Sequence, residues 1–420
     1  MMENFDRNLE KYADVIVKVG LNLQPGQRLL VSSTALFDGA SLEAAALIRL
    51  VTKSAYKLGA RYVDIIWGDD EIMLSRYKYA RRDSFGEYPA WKPAAHRDIV
   101  KNGDALLGIV GSDPALLKGQ DADLIALQQK TVGALYKEGR DHRERHPHNW
   151  CIVALPIQAW AAKVFPNAGE AEQVDKLWDV VFQICRVYED DPVGAWQIHI
   201  KDLKSRATYM NDKAFKAIKF TGPGTNLTLG LAEGHIWRGA QSDTERGFPY
   251  TANMPTEEIF TMPHRGVADG VVTATKPLSR GGTLMDDFSV TFENGRVVKV
   301  QAKKNEDVLR KMTETDEGAA RLGEVALVPN SSPISQSGLM FYNTLFDENA
   351  ASHIALGSAY RETIKNGEGM SDEEFESAGG NDSLIHTDFM IGSGEMDVDG
   401  IHEDGGIEAV MRGGEWAFKV

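Results

Sequence analysis

In the first half of the chain, short apolar β-branched runs alternate with longer stretches that carry apolar residues at helical spacing. Few architectures tolerate that rhythm. The runs are "QRLLVSS" (27–33), "RYVDIIWGD" (61–69), "DALLGIVGS" (104–112) and "NWCIVALPI" (149–157). Between them lie stretches such as "GASLEAAALIRLVTKSAYKLGA" (39–60) and "DADLIALQQKTVGALYKEGRDHRERH" (121–146). Strand–helix alternation at this spacing predicts a parallel sheet covered by helices. No GxGxxG or GxxxxGK[ST] follows any of the runs, so nucleotide binding has no motif to rest on. Residues 175–212 read as one or two long helices that close this half.

From about residue 213 the texture changes. "AFKAIKFTGPGTNLTLGLAEG", "VADGVVTATKPL", "TLMDDFSVTFENGRVVKVQAKKN" and "GEVALVPN" are strand-like, with turn signals at Gly222-Pro223-Gly224 and Glu293-Asn294-Gly295. One helix, roughly 304–321, interrupts them. The expected fold is an α/β N-terminal domain over 1–210, a parallel sheet with covering helices. An α+β C-terminal domain with mostly antiparallel strands follows over 211–420.

Composition narrows the function classes. The chain is 43% hydrophobic, enough for a large core, and its net charge of −15 argues against nucleic acid or anionic membrane partners. No run of about eighteen apolar residues suggests a membrane span. The start, "MMENFDRNLEKYADVIVKVGLNL", has acidic residues where a signal peptide carries basic ones. Only Cys151 and Cys185 occur, so neither a disulfide framework nor a cysteine-rich zinc cluster is expected. A cytoplasmic, soluble protein is the simplest account.

The chemistry sits in the second half. "NDSLIHTDFMIGSGEMDVDG" (381–400) places His386 and Asp388 two apart in an apolar run, on one face of a strand. In "GLMFYNTLFDENAASHIALGSAYRE" (338–362), Glu348 lies five residues before His353 among small and apolar neighbours. Glu324 opens the apolar strand of "RLGEVALVPNSSP", and Glu257-Glu258 precede "IFTMP" in "ANMPTEEIFTMPHRG". Taken singly, each has a bland reading: a core His–Asp pair, or an exposed acidic turn. Together, four carboxylates and two imidazoles exceed what one zinc ion needs. They fit two divalent ions that share a bridging carboxylate and water. The other histidines offer less. His142, His146 and His148 read as a solvated, arginine-rich helix end, and His96 and His199 sit in helical segments with no clear acidic partner.

"NMPTEEIFT", "RLGEVALVP", "TLFDENAASHIALGSAY" and "HTDFMIGSGEMDVDG" resemble the motifs of the metallo-aminopeptidase family that includes aminopeptidases T and S. The resemblance extends to "FTGPGTNLTLGLAEGHIW", "VGLNLQPGQ" and "EDDPVGAW", and so spans the chain. It implies metal ligands at Glu258, Glu324, Glu348, His353, His386 and Asp388, with no departure from the family pattern. Tyr360 matches a tyrosine assigned a part in catalysis. The resemblance also implies two divalent ions per chain (zinc or cobalt, with manganese or magnesium as alternatives), peptide substrates with a free N-terminus, and a homodimer. Glu257 is a candidate for general base or for holding the substrate amine, although strand alternation would point it away from Glu258. Which carboxylate bridges is not assigned by the motifs. Two rival readings remain: a two-metal phosphoesterase, for which these segments offer few basic residues, and a metal-stabilised binding protein without activity.

Overall fold

The four apolar runs of the first half are parallel strands in the computed structural model, at Arg28–Ser32, Tyr62–Ile65, Ala105–Val110 and Trp150–Ala154. The structure describes residues 4–33, 39–111, 113, 115–280 and 283–420, so Ser112, which ends the third run, lies outside the described residues. The sheet order is Asn253–Met254, Trp150–Ala154, Ala105–Val110, Arg28–Ser32, Tyr62–Ile65, with every pairing parallel. Helices Ala45–Lys57, Trp91–Lys101 and Ala122–Arg145 lie in the connections, since a parallel pair cannot be closed by a hairpin. Asp121 starts the last of these by accepting from the backbone N–H groups of Asp123 and Leu124. The expected α/β character of the first half is therefore present.

The chain divides into two units: 1–198 with 241–255, and 199–240 with 256–420. The first division falls inside one helix, Pro192–Lys213.

The second unit is built on antiparallel sheets. The larger one contains the hairpin of Thr283–Glu293 with Arg296–Lys304, closed by Asn294 and Gly295 at φ 51° and 76°. Positive φ at both central residues is what a type I′ turn requires, and Asn-Gly supplies it at low steric cost. The smaller sheet carries the chemistry. Its order is His386–Met390, His353–Gly357, Leu322–Leu327, Ile259–Thr261, Arg238–Gly239, all antiparallel. Every residue of Leu322–Leu327 and of His353–Gly357 is buried. A charged group in either strand must therefore find partners inside the protein. Among the described residues, no helix is long and apolar enough to cross a membrane.

Candidate metal centre

Register brings the charged residues of the smaller sheet together. Glu324 pairs with Ala355, and Ala355 pairs with Asp388, so one row crosses three strands with Glu324 and Asp388 flanking an alanine. Residues paired across an antiparallel ladder share a face, as do residues two apart along a strand. That face therefore carries Glu324, His353, Ala355, Gly357, His386 and Asp388. Ala355 and Gly357 leave the floor between the charged side chains low.

Two groups of donors form above it. Atoms of Glu258, Glu324 and His353 lie within 4.8 Å of one another, and so do atoms of Glu324, His386 and Asp388. Glu324 belongs to both. Its Oε1 is 3.5 Å from His353 Nε2 and its Oε2 is 3.5 Å from His386 Nε2. Asp388 Oδ1 stands 3.3 Å from His386 Nε2, and Glu258 Oε2 stands 3.2 Å from His353 Nε2. Glu258 Oε2 is fully buried and has no hydrogen-bond partner, although His353 Nε2 is near it.

Both imidazoles are oriented from behind. His353 Nδ1 lies 3.1 Å from the Ala351 carbonyl and His386 Nδ1 lies 2.7 Å from the Ser358 carbonyl. A carbonyl only accepts, so each Nδ1 carries a proton and each ring turns Nε2, the nitrogen available to a metal, toward the carboxylates.

The electrostatics call for positive charge at the same atoms. Burial opposes protonation of His386, yet Asp388 and Glu324 hold its imidazole up to about 10. His353 is likewise raised well above its ordinary value against burial, by Glu258 and Glu324. Burial pushes Glu324 up, and it pushes Glu348 far up with the charges of Asp388 and Glu258 adding to it. Asp388 alone is held low: burial opposes ionisation, but His386 and His353 outweigh it. The protons that the imidazoles hold stand where positive charge is wanted, and divalent ions could take that place. Oxygen and imidazole donors, a buried orphan oxygen and fixed tautomers all fit such ions.

The remaining predicted residues fall at the edges. Glu348 opens the single turn Glu348–Ala350 and completes neither group, although the charges of Asp388 and Glu258 reach it. Tyr360 follows the His353–Gly357 strand, with its ring 4.9 Å from that of His386 and 6.1 Å from that of Phe260. The residue is 46% exposed, yet desolvation at the cluster, then the charges of Glu324 and Asp388, push its phenol well above the usual range. It stays a hydrogen-bond donor. Glu257 is buried but belongs to neither group; its Oε2 is 3.5 Å from His199 Nε2.

Sequence reasoning missed three contributors. His199 has an acidic neighbour after all, in Glu257. Asn349 accepts from the Glu257 backbone N–H at 2.7 Å and points its amide nitrogen at Glu348 Oε1, 3.5 Å away. Ala355 forms the floor. Only Asn349 had a signal, its place beside a candidate ligand.

A model of the thermophilic metalloprotease family M29 matches residues 5–416. The chain belongs to that family. Membership makes it a peptide-hydrolysing enzyme and agrees with the donor set described above. Aminopeptidase AmpS of Bacillus subtilis (strain 168) is 45% identical over 417 residues, covering 99% of this chain and 100% of that protein. The structure of wild-type AmpT from Thermus thermophilus matches with a TM-score of 0.91 at 43% identity, over 99% of this chain and 100% of that one. A 2,5-dihydroxypyridine dioxygenase from Pseudomonas putida KT2440 shares the fold, with a TM-score of 0.54 at 10% identity over 99% of this chain and 98% of that one. A shared fold does not fix one reaction, so function lies in the side chains of the site.

Proposed function

We propose that this M29 member is an aminopeptidase that removes N-terminal residues from peptides with two divalent ions. The ligands in this reading are Glu258, Glu324, Glu348, His353, His386 and Asp388. The observation that carries it is Glu324, one oxygen directed to His353 and the other to His386 and Asp388. A carboxylate so divided suits the bridging position. The aminopeptidase names of its relatives support the substrate class.

When bound, such ions polarise the scissile carbonyl and make hydroxide available near neutral pH. The protein does the rest. The Tyr360 hydroxyl, held neutral, donates to the oxyanion that forms as water adds to the carbonyl carbon. Glu257 either accepts the proton of that water or holds the substrate's α-amine. The carbon–nitrogen bond then breaks as the departing amine takes up the proton that the attacking water gave up, delivered by Glu257 where it is the base and otherwise passed on directly. His353 and His386 stay fixed through their backbone carbonyl contacts. Zinc or cobalt suits the mixed imidazole and carboxylate set best, with manganese or magnesium as alternatives. A homodimer, expected from the resemblance, and a cytoplasmic location, expected from the sequence, complete the proposal; light scattering and cell fractionation test those two parts.

The decisive experiment measures metal content together with turnover of leucine- and arginine-p-nitroanilide. Wild type should release p-nitroaniline, lose activity with a chelator and regain it on metal addition, while His386→Ala stays inactive. Stoichiometric metal without amide turnover, or turnover of p-nitrophenyl phosphate instead, overturns the aminopeptidase reading.

A further inference from the structure

We propose that His199 is a positioning residue of this site, one that holds Glu257 for its part in the aminopeptidase reaction; the inference rests on that reading. His199 lies on the helix Pro192–Lys213, far in sequence from every residue of the two donor groups. Its Nε2 is 2.8 Å from the Thr256 carbonyl oxygen and 3.5 Å from Glu257 Oε2. The carbonyl can only accept, so Nε2 carries a hydrogen, and Glu257 Oε2 lies within ion-pair distance of the same nitrogen. The imidazole is 14% exposed, so water competes little for that hydrogen.

The same corner is gripped from the other side. The Glu257 backbone N–H donates to Asn349 Oδ1 at 2.7 Å, and Asn349 is wholly buried beside Glu348. A helix and the Glu348 turn therefore hold consecutive backbone groups at 256 and 257. Glu257 and Glu258 are adjacent in sequence and point to different imidazoles, the first to His199 and the second to His353. Losing the His199 contact removes one contact of the Glu257 carboxylate and loosens the Thr256 carbonyl, while the His353 contact of Glu258 remains. A displacement near 1 Å at a reacting group costs about 10²-fold in rate. Because His199 belongs to neither donor group, its removal should lower kcat without removing ligands.

The test is a double-mutant cycle on the metal-loaded protein, with leucine-p-nitroanilide as probe. His199→Leu should lower kcat about 10- to 100-fold with KM and metal content unchanged, and His199→Gln, which keeps an N–H, should restore most of it. In a Glu257→Gln background the His199→Leu change should be nearly silent. A crystal structure of metal-free His199→Leu should show the Glu257 carboxylate displaced and His353 and His386 in place. Independent, multiplicative losses in the cycle, an unchanged kcat, or loss of bound metal overturns the proposal. If the leucine variant does not fold, His199→Asn, too short to reach Thr256, takes its place in the cycle and the crystal. A wild type without turnover overturns the aminopeptidase reading itself, and the position of Glu257 in the metal-free crystal then decides the positioning role separately.

Discussion

Replacing Glu324 by glutamine tests the shared-ligand reading most directly. The substitution keeps shape and one carbonyl oxygen but removes a full charge from both donor groups. Within each group the donor atoms lie inside 4.8 Å of one another, so an ion among them lies no farther than that from Glu324. At 4.8 Å and an effective dielectric of about 20, a carboxylate attracts a dication by about 7 kcal/mol. That corresponds to about 10⁵-fold in affinity. The neutral amide oxygen and water recover part of it, so a loss of at least about 10³-fold is expected for both ions. Glu258→Gln removes a similar charge from one group only. It should weaken one ion strongly and leave the other in place. The assay is competitive titration against a chromophoric chelator, with bound metal counted after desalting. Two tightly held ions in Glu324→Gln refute the shared position. Equal loss of both ions in the two variants refutes the division into groups.

Three further outcomes follow from the geometry. Ala355→Leu leaves every ligand in place but raises the floor between Glu324 and Asp388. It should abolish tight metal binding and cost about 1–3 kcal/mol of stability, as overpacked cores do; metal content and thermal unfolding check both. Tyr360→Phe should lower kcat by about 10²–10³-fold with KM and metal content unchanged, the usual result of deleting one oxyanion donor. The third concerns acid. Glu408 is held down to about 2, first by Lys213 and then by the Tyr209 hydroxyl and His402 against a small burial penalty. A carboxyl lowered on folding contributes stability that is complete above its unfolded value, near 4.5, and lost as pH falls toward 2. Glu408→Gln should therefore flatten the acid limb of the stability curve between those values, measured by denaturant midpoints. An unchanged slope sinks that assignment.

How much of this was legible in the sequence depended on whether a residue carried its own contradiction. The strands announced themselves because Leu322–Leu327 and the centre of Arg28–Ser32 are buried and so are written largely in apolar residues. The ligands stood out for the opposite reason, as charges set in such runs. Glu324 in a wholly buried strand has to be satisfied by something, and that much needs no coordinates. What could not be read was partnership. Asn253–Met254 pairs with Trp150–Ala154 from more than a hundred residues away, and a two-residue strand has no periodicity to betray it. His199 sits on a helix, where an imidazole at the surface is unremarkable, and the two residues it faces lie 57 and 58 positions away.

Ala355 makes the limit plainest. In the sequence it is one more small residue in "ASHIALGSAY", and its burial explains it completely. Its part in the site exists only through register, which sets it between Glu324 on one neighbour and Asp388 on the other. A slip of one residue in either pairing would turn a ligand to the opposite face. The donor groups are therefore a property of two strand pairings as much as of six side chains. For that reason Ala355→Leu is the sharper probe of the architecture: it removes no donor, so any loss of metal it causes must come from the space the register creates.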